Sequence, residues 1–266
     1  RDAGWIQIYA ENNQEAYDNM VQAYRISEHK DVRLPIMICQ DGFITSHAVE
    51  NMELLEDGEV RSFVGEYEPE NYLLNPECPM AVGPYSITDY YMEAKRNQAE
   101  GMKHVEKVVL EVAKEFEEIS GREYGLFEAY RMEDAEYAVV MIGSAAGTTK
   151  DAVDALRKQG QKAGLLKIRL YRPFPAEAVA EALKGVKALA VMDRAEGYTN
   201  HGGPLGADVL SALYRARAKA LAVNYIYGLG GRDVRVEDME GVFATLKQIA
   251  EDGDTGETYR YLGIRE

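Results

Sequence analysis

Two hydrophobic runs separated by a helical pattern predict one βαβ unit near the start of the chain. The runs WIQIYA (5–10) and LPIMICQ (34–40) are short, and the second is apolar enough to be buried on both faces of a parallel sheet. Residues 12–27 repeat apolar positions at helical spacing, and Asn12 or Asn13 provides a cap for that helix. Two strands and one helix do not form a stable domain, so we expect further strands from a missing N-terminal part or from another subunit.

The periodicity disappears over residues 56–97, which hold four of the eight prolines and several tyrosines. A long segment without periodicity is typical of a functional arm or a linker, and its aromatic residues argue against simple disorder. We therefore expect an extended arm that packs over a surface. Residues 98–120 then predict one amphipathic helix, which Gly121 ends.

Strands and helices alternate four times over residues 123–250. The predicted strands are 137–143, 163–171, 188–193 and 220–228, and the predicted helices are about 149–159, 175–184, 205–217 and 237–250. This alternation predicts an α/β fold, a parallel sheet with helices on both faces, in which ligands approach the carboxyl ends of the strands. The polar tail, residues 251–266, is expected to be an extended arm.

Charge and hydropathy narrow the classes of function. The net charge is −15, from 45 acidic and 30 basic residues, and no Lys/Arg stripe supports nucleic-acid binding. The acidity fits a solvated surface, and the alternative is an acidic docking face for a basic partner. No apolar stretch approaches the roughly 20 residues of a membrane span. A hydrophobic content of 46% is sufficient for a substantial core.

The two cysteines, Cys39 and Cys78, are too few to ligate an iron–sulfur cluster or to close a cysteine zinc site. No disulfide framework is expected, which favours a reducing, cytoplasmic compartment. The sequence has no Met at position 1 and no signal peptide, and it starts at the approach to a strand. This start suggests a piece of a longer polypeptide.

The segment PIMICQDGFITSH (35–47) combines the residue types of a hydrolase triad. However, Ser46 lacks the Gly-x-Ser-x-Gly setting of an α/β-hydrolase nucleophile. Asp41, Ser46 and His47 are also too close in sequence, because a triad is assembled from distant segments. A hydrolytic triad is therefore not expected.

The same segment remains a candidate site because it follows the carboxyl end of a predicted strand. The Asp41-Gly42 pair predicts a turn, and Thr45 or Ser46 is expected to cap a short helix through residues 48–51. We predict that this loop forms one wall of a cofactor or substrate cleft. The candidate wall residues are Asp41, Thr45, Ser46 and His47.

Three glycine-rich loops end other predicted strands. GSAAGTTKD (143–151) is not a P-loop, because Lys150 follows the threonines; a structural turn capped by Thr148 or Thr149 is favoured over an anion site. GLGGRDV (228–234) opens no helix and predicts a tight turn. In NHGGPLG (200–206), Pro204 suits a first helical turn, and the histidine is either functional or incidental. The candidate loop residues are Gly143, Ser144, His201, Gly202, Gly203 and Arg232, and no metal site is predicted.

Six segments, in order, resemble the pyruvate:ferredoxin and related 2-oxoacid:ferredoxin oxidoreductases. They are DGFITSH, LLNPECPMAVGPYSITDYYMEAKRNQ, LYRPFPAE, VMDRAEGYTNHGGPLGADV, IYGLGGRDV and YLGIRE. The resemblance covers nearly the whole chain and implies the C-terminal two-thirds of the alpha subunit, or the equivalent region of a fused enzyme. It implies the end of a thiamine-diphosphate pyrimidine-type domain (1–55), an arm and linking helix (56–122), a transketolase-C-terminal-like domain (123–250) and a C-terminal arm (251–266).

The resemblance also implies an activity shared between chains. The family oxidatively decarboxylates pyruvate or a related small 2-oxoacid with coenzyme A, giving acyl-CoA, CO₂ and reduced ferredoxin. Thiamine diphosphate with magnesium would be shared with a beta subunit, and iron–sulfur clusters would lie in partner chains such as gamma and delta. The family's pyrimidine-side Glu and its substrate-binding Thr and Arg precede the region present here. The alternative function is a non-catalytic assembly or regulatory subunit on the same fold.

Overall fold

The computed structural model describes residues 1–198 and 202–265 and contains two β-sheets. The strands are β1 Ile6–Tyr9, β2 Ile36–Cys39, β3 Phe127–Tyr130, β4 Tyr137–Met141, β5 Ala163–Ile168, β6 Leu170–Arg172, β7 Ala188–Asp193, β8 Leu221–Ile226 and β9 Tyr259–Tyr261. The helices are α1 Asn13–Ser27, α2 Asp57–Val64, α3 Tyr91–Met102, α4 Val105–Ser120, α5 Ala145–Lys158, α6 Ala176–Ala182, α7 Pro204–Arg215 and α8 Val236–Asp252. No helix among the described residues is long and apolar enough to cross a bilayer.

The predicted βαβ unit forms most of the small sheet, whose strand order is β2-β1-β6. Strands β1 and β2 are parallel, and Asn12 caps α1 by accepting a hydrogen bond from the Glu15 N–H at 2.9 Å. The third strand, β6, is antiparallel to β1 and comes from the second half of this same chain. Because β2 lies at the sheet edge, its residues are only half-buried, and the prediction that both of its faces are buried is wrong for this chain.

The large sheet has the order β3-β5-β4-β7-β8-β9. Its strands β5, β4, β7, β8 and β9 run parallel to one another. Helices α5 and α8 pack on one face, and α6 and α7 pack on the other, as the alternation predicted. Pro204 is in the first turn of α7, as expected. The core residues of the strands are apolar and almost fully buried, which removes a large apolar surface from water and stabilises the layers.

Three features of the large sheet differ from the prediction. The antiparallel edge strand β3 was missed because its four residues are half-buried or exposed and carry no clear alternation. The predicted strand 163–171 is divided, because the chain leaves the large sheet at Arg169 and enters the small one. The tail is not simply an arm, since β9 pairs with β8 through a register that includes Asn224 and Tyr259.

The predicted single helix over residues 98–120 is in fact two helices. The N–H groups of Lys103 and His104 bond to carbonyls three residues earlier, a tighter turn that separates α3 from α4. Gly101 lies against α1's C-terminal loop, where an added Cβ would be 2.7 Å from the Val32 carbonyl oxygen. Gly121 is left-handed and ends α4, as predicted.

Candidate functional site

Asp41 joins the loop after β2 to the carboxyl edge of the large sheet. Its Oδ2 accepts a hydrogen bond from the Ser144 N–H at 2.7 Å, and its Oδ1 lies 3.1 Å from the Arg194 guanidinium. Gly143 has φ +83°, and a Cβ there would be 2.9 Å from Asp41 Oδ2. The structure therefore brings together three of the predicted residues, with Asp41 serving as the carboxylate at the N-terminus of α5.

Residues 42–47 form a tight turn that displays an aromatic and polar surface. The Phe43 N–H donates to Ser46 Oγ at 3.0 Å, and Ser46 Oγ lies 2.8 Å from His47 Nδ1. The Phe43 ring stacks on His47 at 4.9 Å between centroids and is 78% exposed. Phe43 has φ +65°, a conformation that non-glycine residues rarely adopt and that is concentrated at functional sites.

Thr45 has a different role from its neighbours. Its side chain is buried, and its hydroxyl donates to the Glu11 carbonyl at 3.4 Å, which fixes the turn to the end of β1. The Ser46 hydroxyl is hydrogen-bonded to the His47 ring and to the backbone. No carboxylate among the described residues orients His47. This arrangement agrees with the exclusion of a hydrolytic triad.

The short helix expected over residues 48–51 does not form, so this prediction is wrong. The polar groups of this segment bind the start of α1 instead. The Asn13 N–H donates to the Glu50 carboxylate at 2.9 Å, and the Glu53 N–H donates to Gln14 Oε1 at 2.7 Å. These contacts attach the segment to the start of α1, and the second one satisfies the Glu53 N–H.

A cleft of about 380 Å³ lies between the 42–47 turn, the start of α5 and the 228–234 turn. Its lining includes Phe43, Ser144, Arg194, Tyr227 and Arg232. Arg194 was not predicted, although its position directly after the last residue of a buried strand is a usable signal. The cleft therefore contains the predicted loop residues at positions 144 and 232. The turn contributes Gly42, Phe43 and Ile44 to its lining, whereas the predicted wall residues Asp41, Thr45, Ser46 and His47 are not part of it.

The 228–234 turn was correctly predicted to be tight. Gly228, Gly230 and Gly231 have φ values of +64°, +67° and +79°, so each adopts the left-handed conformation that favours glycine. In contrast, the Thr148 or Thr149 cap predicted for α5 is wrong. The helix begins at Ala145, and Thr149 is buried within it, where its hydroxyl donates to the Ala145 carbonyl.

Gly202 and Gly203 belong to a separate cluster around Asp193 rather than to the cleft. Asp193 is buried and accepts hydrogen bonds from the N–H groups of Leu205 at 2.8 Å and Gly206 at 2.9 Å. A Cβ on Gly203 would be 2.3 Å from Asp193 Cγ, so glycine permits this close approach. His201 lies outside the described residues.

Asn224 completes this cluster. Its Nδ2 donates to Asp193 at 2.8 Å, and its Oδ1 accepts from the Gly203 N–H at 2.7 Å. Burial raises the pKa of Asp193, although hydrogen bonds from Leu205 and Gly206 oppose this change. The glycines of this loop are thus explained by how closely Asp193 and Asn224 approach the backbone.

A charged cluster between the two sheets was also missed. Lys167 is 4% exposed at its side chain, and its Nζ lies 2.5–2.7 Å from three carboxylates. These carboxylates are Glu11, Glu15 and Glu128. Lys150 contacts two of them, at 2.8 and 2.9 Å. The contributing residues are up to 156 positions apart, so no local pattern could have revealed the cluster.

The three carboxylates of this cluster offer oxygens within 4.8 Å of one another, a spacing that could hold a cation. The Lys167 ammonium already lies among these oxygens and satisfies them by direct ion pairs.

Phosphate groups also fit poorly at the N-termini of α5 and α7. Asp41 and Asp193 place carboxylates at these two N-termini, where they accept the backbone N–H groups that would bind an anion.

Two family models match the chain. The model described as "Pyruvate flavodoxin/ferredoxin oxidoreductase, thiamine diP-bdg" matches residues 1–114. The model described as "Pyruvate:ferredoxin oxidoreductase core domain II" matches residues 135–239. Together they include the turn at 42–47, the start of α5 and the 228–234 turn, so the cleft is built from segments of both matched regions.

Similar proteins come from several organisms. Pyruvate synthase subunit PorA of Thermotoga maritima is 48% identical over 270 residues, and that of Methanocaldococcus jannaschii is 41% identical over 268 residues. Both comparisons cover 100% of this chain and 67% of the relative. Ketoisovalerate oxidoreductase subunit VorA of Pyrococcus horikoshii is 39% identical, over 95% of this chain and 64% of the relative.

A solved structure supports the fold alone. The 2-oxoglutarate:ferredoxin oxidoreductase from Magnetococcus marinus matches with a TM-score of 0.53 and 15% sequence identity. The match covers 92% of this chain and 42% of the other. The chain therefore shares its fold with part of a much larger chain of known structure.

Proposed function

Because the chain belongs to the family of pyruvate and 2-oxoacid:ferredoxin oxidoreductases, as a subunit of the alpha type, we propose that it acts in a multichain enzyme whose substrate is pyruvate. The enzyme converts pyruvate and coenzyme A to acyl-CoA and CO₂ and transfers the electrons to ferredoxin. The observation that carries this proposal is the 48% identity to a pyruvate synthase subunit over the whole chain.

The cofactor of this enzyme is thiamine diphosphate, which supplies the carbanion chemistry when bound. We propose that a partner chain binds its diphosphate and magnesium, and that further partners carry iron–sulfur clusters. The carboxylates of Asp41 and Asp193 at the helix N-termini support this division, since they leave those backbone donors satisfied within the chain. Residues 1–55 would complete the pyrimidine-side domain, and residues 123–250 would form the transketolase-C-terminal-like domain.

The 42–47 turn is proposed to be this chain's wall of the shared site. Phe43 and His47 stack face to face and can exclude water from one side of a bound ligand. Ser46 and His47 provide a linked pair of polar groups that can orient it through hydrogen bonds. Asp41 acts as a positioning residue, because its contacts with Ser144 and Arg194 fix the turn relative to the large sheet.

The intact complex, purified through a tag on this chain, tests the activity and the substrate. We expect pyruvate- and CoA-dependent reduction of ferredoxin, with kcat/KM for pyruvate at least about tenfold above that for ketoisovalerate, since a pocket distinguishes small apolar groups by this order. Equal values would reject pyruvate as the preferred substrate. A complex that assembles but reduces no ferredoxin with either 2-oxoacid would favour the assembly or regulatory function.

The role of the turn is tested by the double variant Ser46→Ala, His47→Ala in the same complex. We expect kcat/KM to fall about tenfold or more, because lost positioning of a bound ligand raises the barrier, while assembly is unchanged. The matched control is Ser27→Ala, His29→Ala at the end of α1, which removes the same two side-chain types from another surface. Equal activity of both double variants would reject a role for the turn.

A further inference from the structure

The segment of residues 66–92, here called the arm, exposes a run of large apolar side chains. Tyr85 is 92% exposed and Leu74 is 85% exposed. Other apolar members more than half exposed include Tyr67, Val82, Tyr90 and Met92. So many exposed large apolar side chains within one segment are unusual, and exposed apolar surface of this kind marks interaction sites.

The backbone of the arm forms few hydrogen bonds to other backbone groups. Within the described chain, one backbone–backbone hydrogen bond falls between residues 66 and 86, from the Asn75 N–H to the Tyr72 carbonyl. Four prolines interrupt the arm and lack N–H donors, so it is unsuited to joining a sheet as a regular strand. Side chains seated in a groove are the remaining way for such a segment to bind strongly.

The two ends of the arm are attached to the chain, which leaves its middle available. Near one end, Glu70 forms an ion pair of 2.5 Å with Arg33, beside a cavity of about 430 Å³ between α1 and the arm. The other end continues into α3, whose Gln98 side chain donates to the Gly4 carbonyl at 2.9 Å. The arm is therefore held in position over the surface rather than trailing from it.

The charge of the arm indicates which charge its binding surface on a partner must carry. Between residues 66 and 92 there are five carboxylates and no lysine or arginine. The carboxylates are Glu66, Glu68, Glu70, Glu77 and Asp89. A complementary surface must therefore carry lysine or arginine side chains. A second copy of this chain is disfavoured, because each copy carries a net charge of −15 and two copies repel each other.

We propose that the arm docks in an apolar groove rimmed by lysine and arginine side chains on a partner chain of different sequence. The exposed tyrosines are the anchors, since tyrosine combines a large buried area with a hydroxyl that remains hydrogen-bonded. The carboxylates pair with the cationic rim and set the position of the arm along the groove. This inference rests on the proposed function, because it identifies one surface through which the chain joins its multichain enzyme.

The tyrosine anchors are tested in the intact complex with the double variant Tyr85→Ser, Tyr90→Ser. We expect the dissociation constant for release of this chain, measured by native mass spectrometry on dilution, to rise about thirtyfold or more. Serine is favourable where Tyr90 caps α3, so the helix is preserved. The control is Tyr214→Ser, which removes a tyrosine that is 86% exposed on α7 and should leave the dissociation constant unchanged.

The charge of the arm is tested by replacing three of its glutamates with glutamine. The variant is Glu66→Gln, Glu68→Gln, Glu77→Gln, and its control is Glu117→Gln, Glu118→Gln, Glu251→Gln, which neutralises three exposed carboxylates elsewhere. We expect the arm variant to dissociate about tenfold more readily at low salt and this difference to shrink as salt rises, because exposed charges are then screened. A photoreactive phenylalanine at position 85 should cross-link to a chain of different sequence.

The outcomes separate this inference from the proposed function. If the complex is active and both arm variants assemble like the wild type, the arm inference is overturned and the enzyme proposal stands. Cross-links confined to this chain, or to a second copy of it, also overturn the inference. If the chain purifies without partners and without 2-oxoacid-dependent reduction of ferredoxin, both proposals fail.

Discussion

Replacing Lys167 with methionine should lower the free energy of unfolding by about 3–5 kcal/mol, the usual cost of leaving a buried charge without its partner. Methionine fills a similar volume but removes the ammonium that contacts Glu11, Glu15 and Glu128. Lys150 still forms ion pairs with Glu11 and Glu128 in the variant. Glu15 is therefore the carboxylate most affected by the loss of its ion pair with Lys167. Chemical unfolding of the purified protein measures the change.

The control for this variant is Lys184→Met, in the turn that follows α6. Lys184 also forms an ion pair, with Glu181 at 3.1 Å, but the two side chains are 75% and 72% exposed. A pair so well solvated contributes at most about 1 kcal/mol. Equal destabilisation by the two replacements would show that the buried position of Lys167 has no special importance.

The effect of Lys167→Met should depend on pH. Burial opposes the charged form of Lys167, but Glu15 and Glu11 raise its pKa above the ordinary value. The contribution of Lys167 to the free energy of unfolding is therefore complete below the ordinary pKa. It is lost only as the pH rises through the raised pKa. Burial likewise opposes ionisation of Glu128, but Lys167 and Lys150 lower its pKa, so its contribution is lost as the pH falls through the lowered pKa. Lys167→Met removes one of the two cations that lower the pKa of Glu128, so burial should raise this pKa in the variant. Protonation of Glu128 then relieves part of the uncompensated negative charge, and the difference in unfolding free energy between the variant and the wild type should be smaller at about pH 4.5 than at pH 7.

Asp193→Asn should cost about 3 kcal/mol of unfolding free energy, although the replacement is nearly isosteric. Asp193 accepts three hydrogen bonds, from the Leu205 and Gly206 N–H groups and from Asn224 Nδ2. An amide at position 193 has one accepting oxygen, and its NH₂ group would face at least one of these donors. Burial prevents water from replacing the lost bonds.

The control for Asp193→Asn is Asp151→Asn on the exposed side of α5, which should change stability by less than about 0.5 kcal/mol. Hydrogen exchange provides a second measurement. The amides of Leu205 and Gly206 should lose protection in Asp193→Asn, because their acceptor is replaced by a donor. Wild-type protection of both amides in that variant would contradict the role given to the carboxylate.

The sequence predicted best the elements that are long, apolar and locally complete. Strands β4, β7 and β8 were identified because their side chains are buried on both faces, and the start of α7 because Pro204 favours a first helical turn. The cap of α1 was predicted at Asn12 or Asn13 from position alone, and Asn12 is the residue that caps the helix. These signals depend on residues within a few positions of one another.

The remaining features depend on contacts between distant residues. The Lys167 cluster joins four segments of the chain. The close contact of Gly101 with Val32, where the predicted helix divides, requires the folded position of α1. The turn containing Ser46 was located correctly, but the hydrogen bond that Ser46 accepts from Phe43 replaced the expected helical cap. Tertiary contacts override local preference at such positions.

The passage of the chain from β5 to β6 has a consequence for movement during turnover. A hinge needs a few residues whose φ and ψ angles are free to absorb a rotation. Arg169, the single residue between these strands, is buried, and its guanidinium bonds to Asn19 and Gln22 beneath the Tyr124 ring. We therefore expect the two sheets to move as one body, which leaves the surface turns as the parts of this chain that can move independently of them.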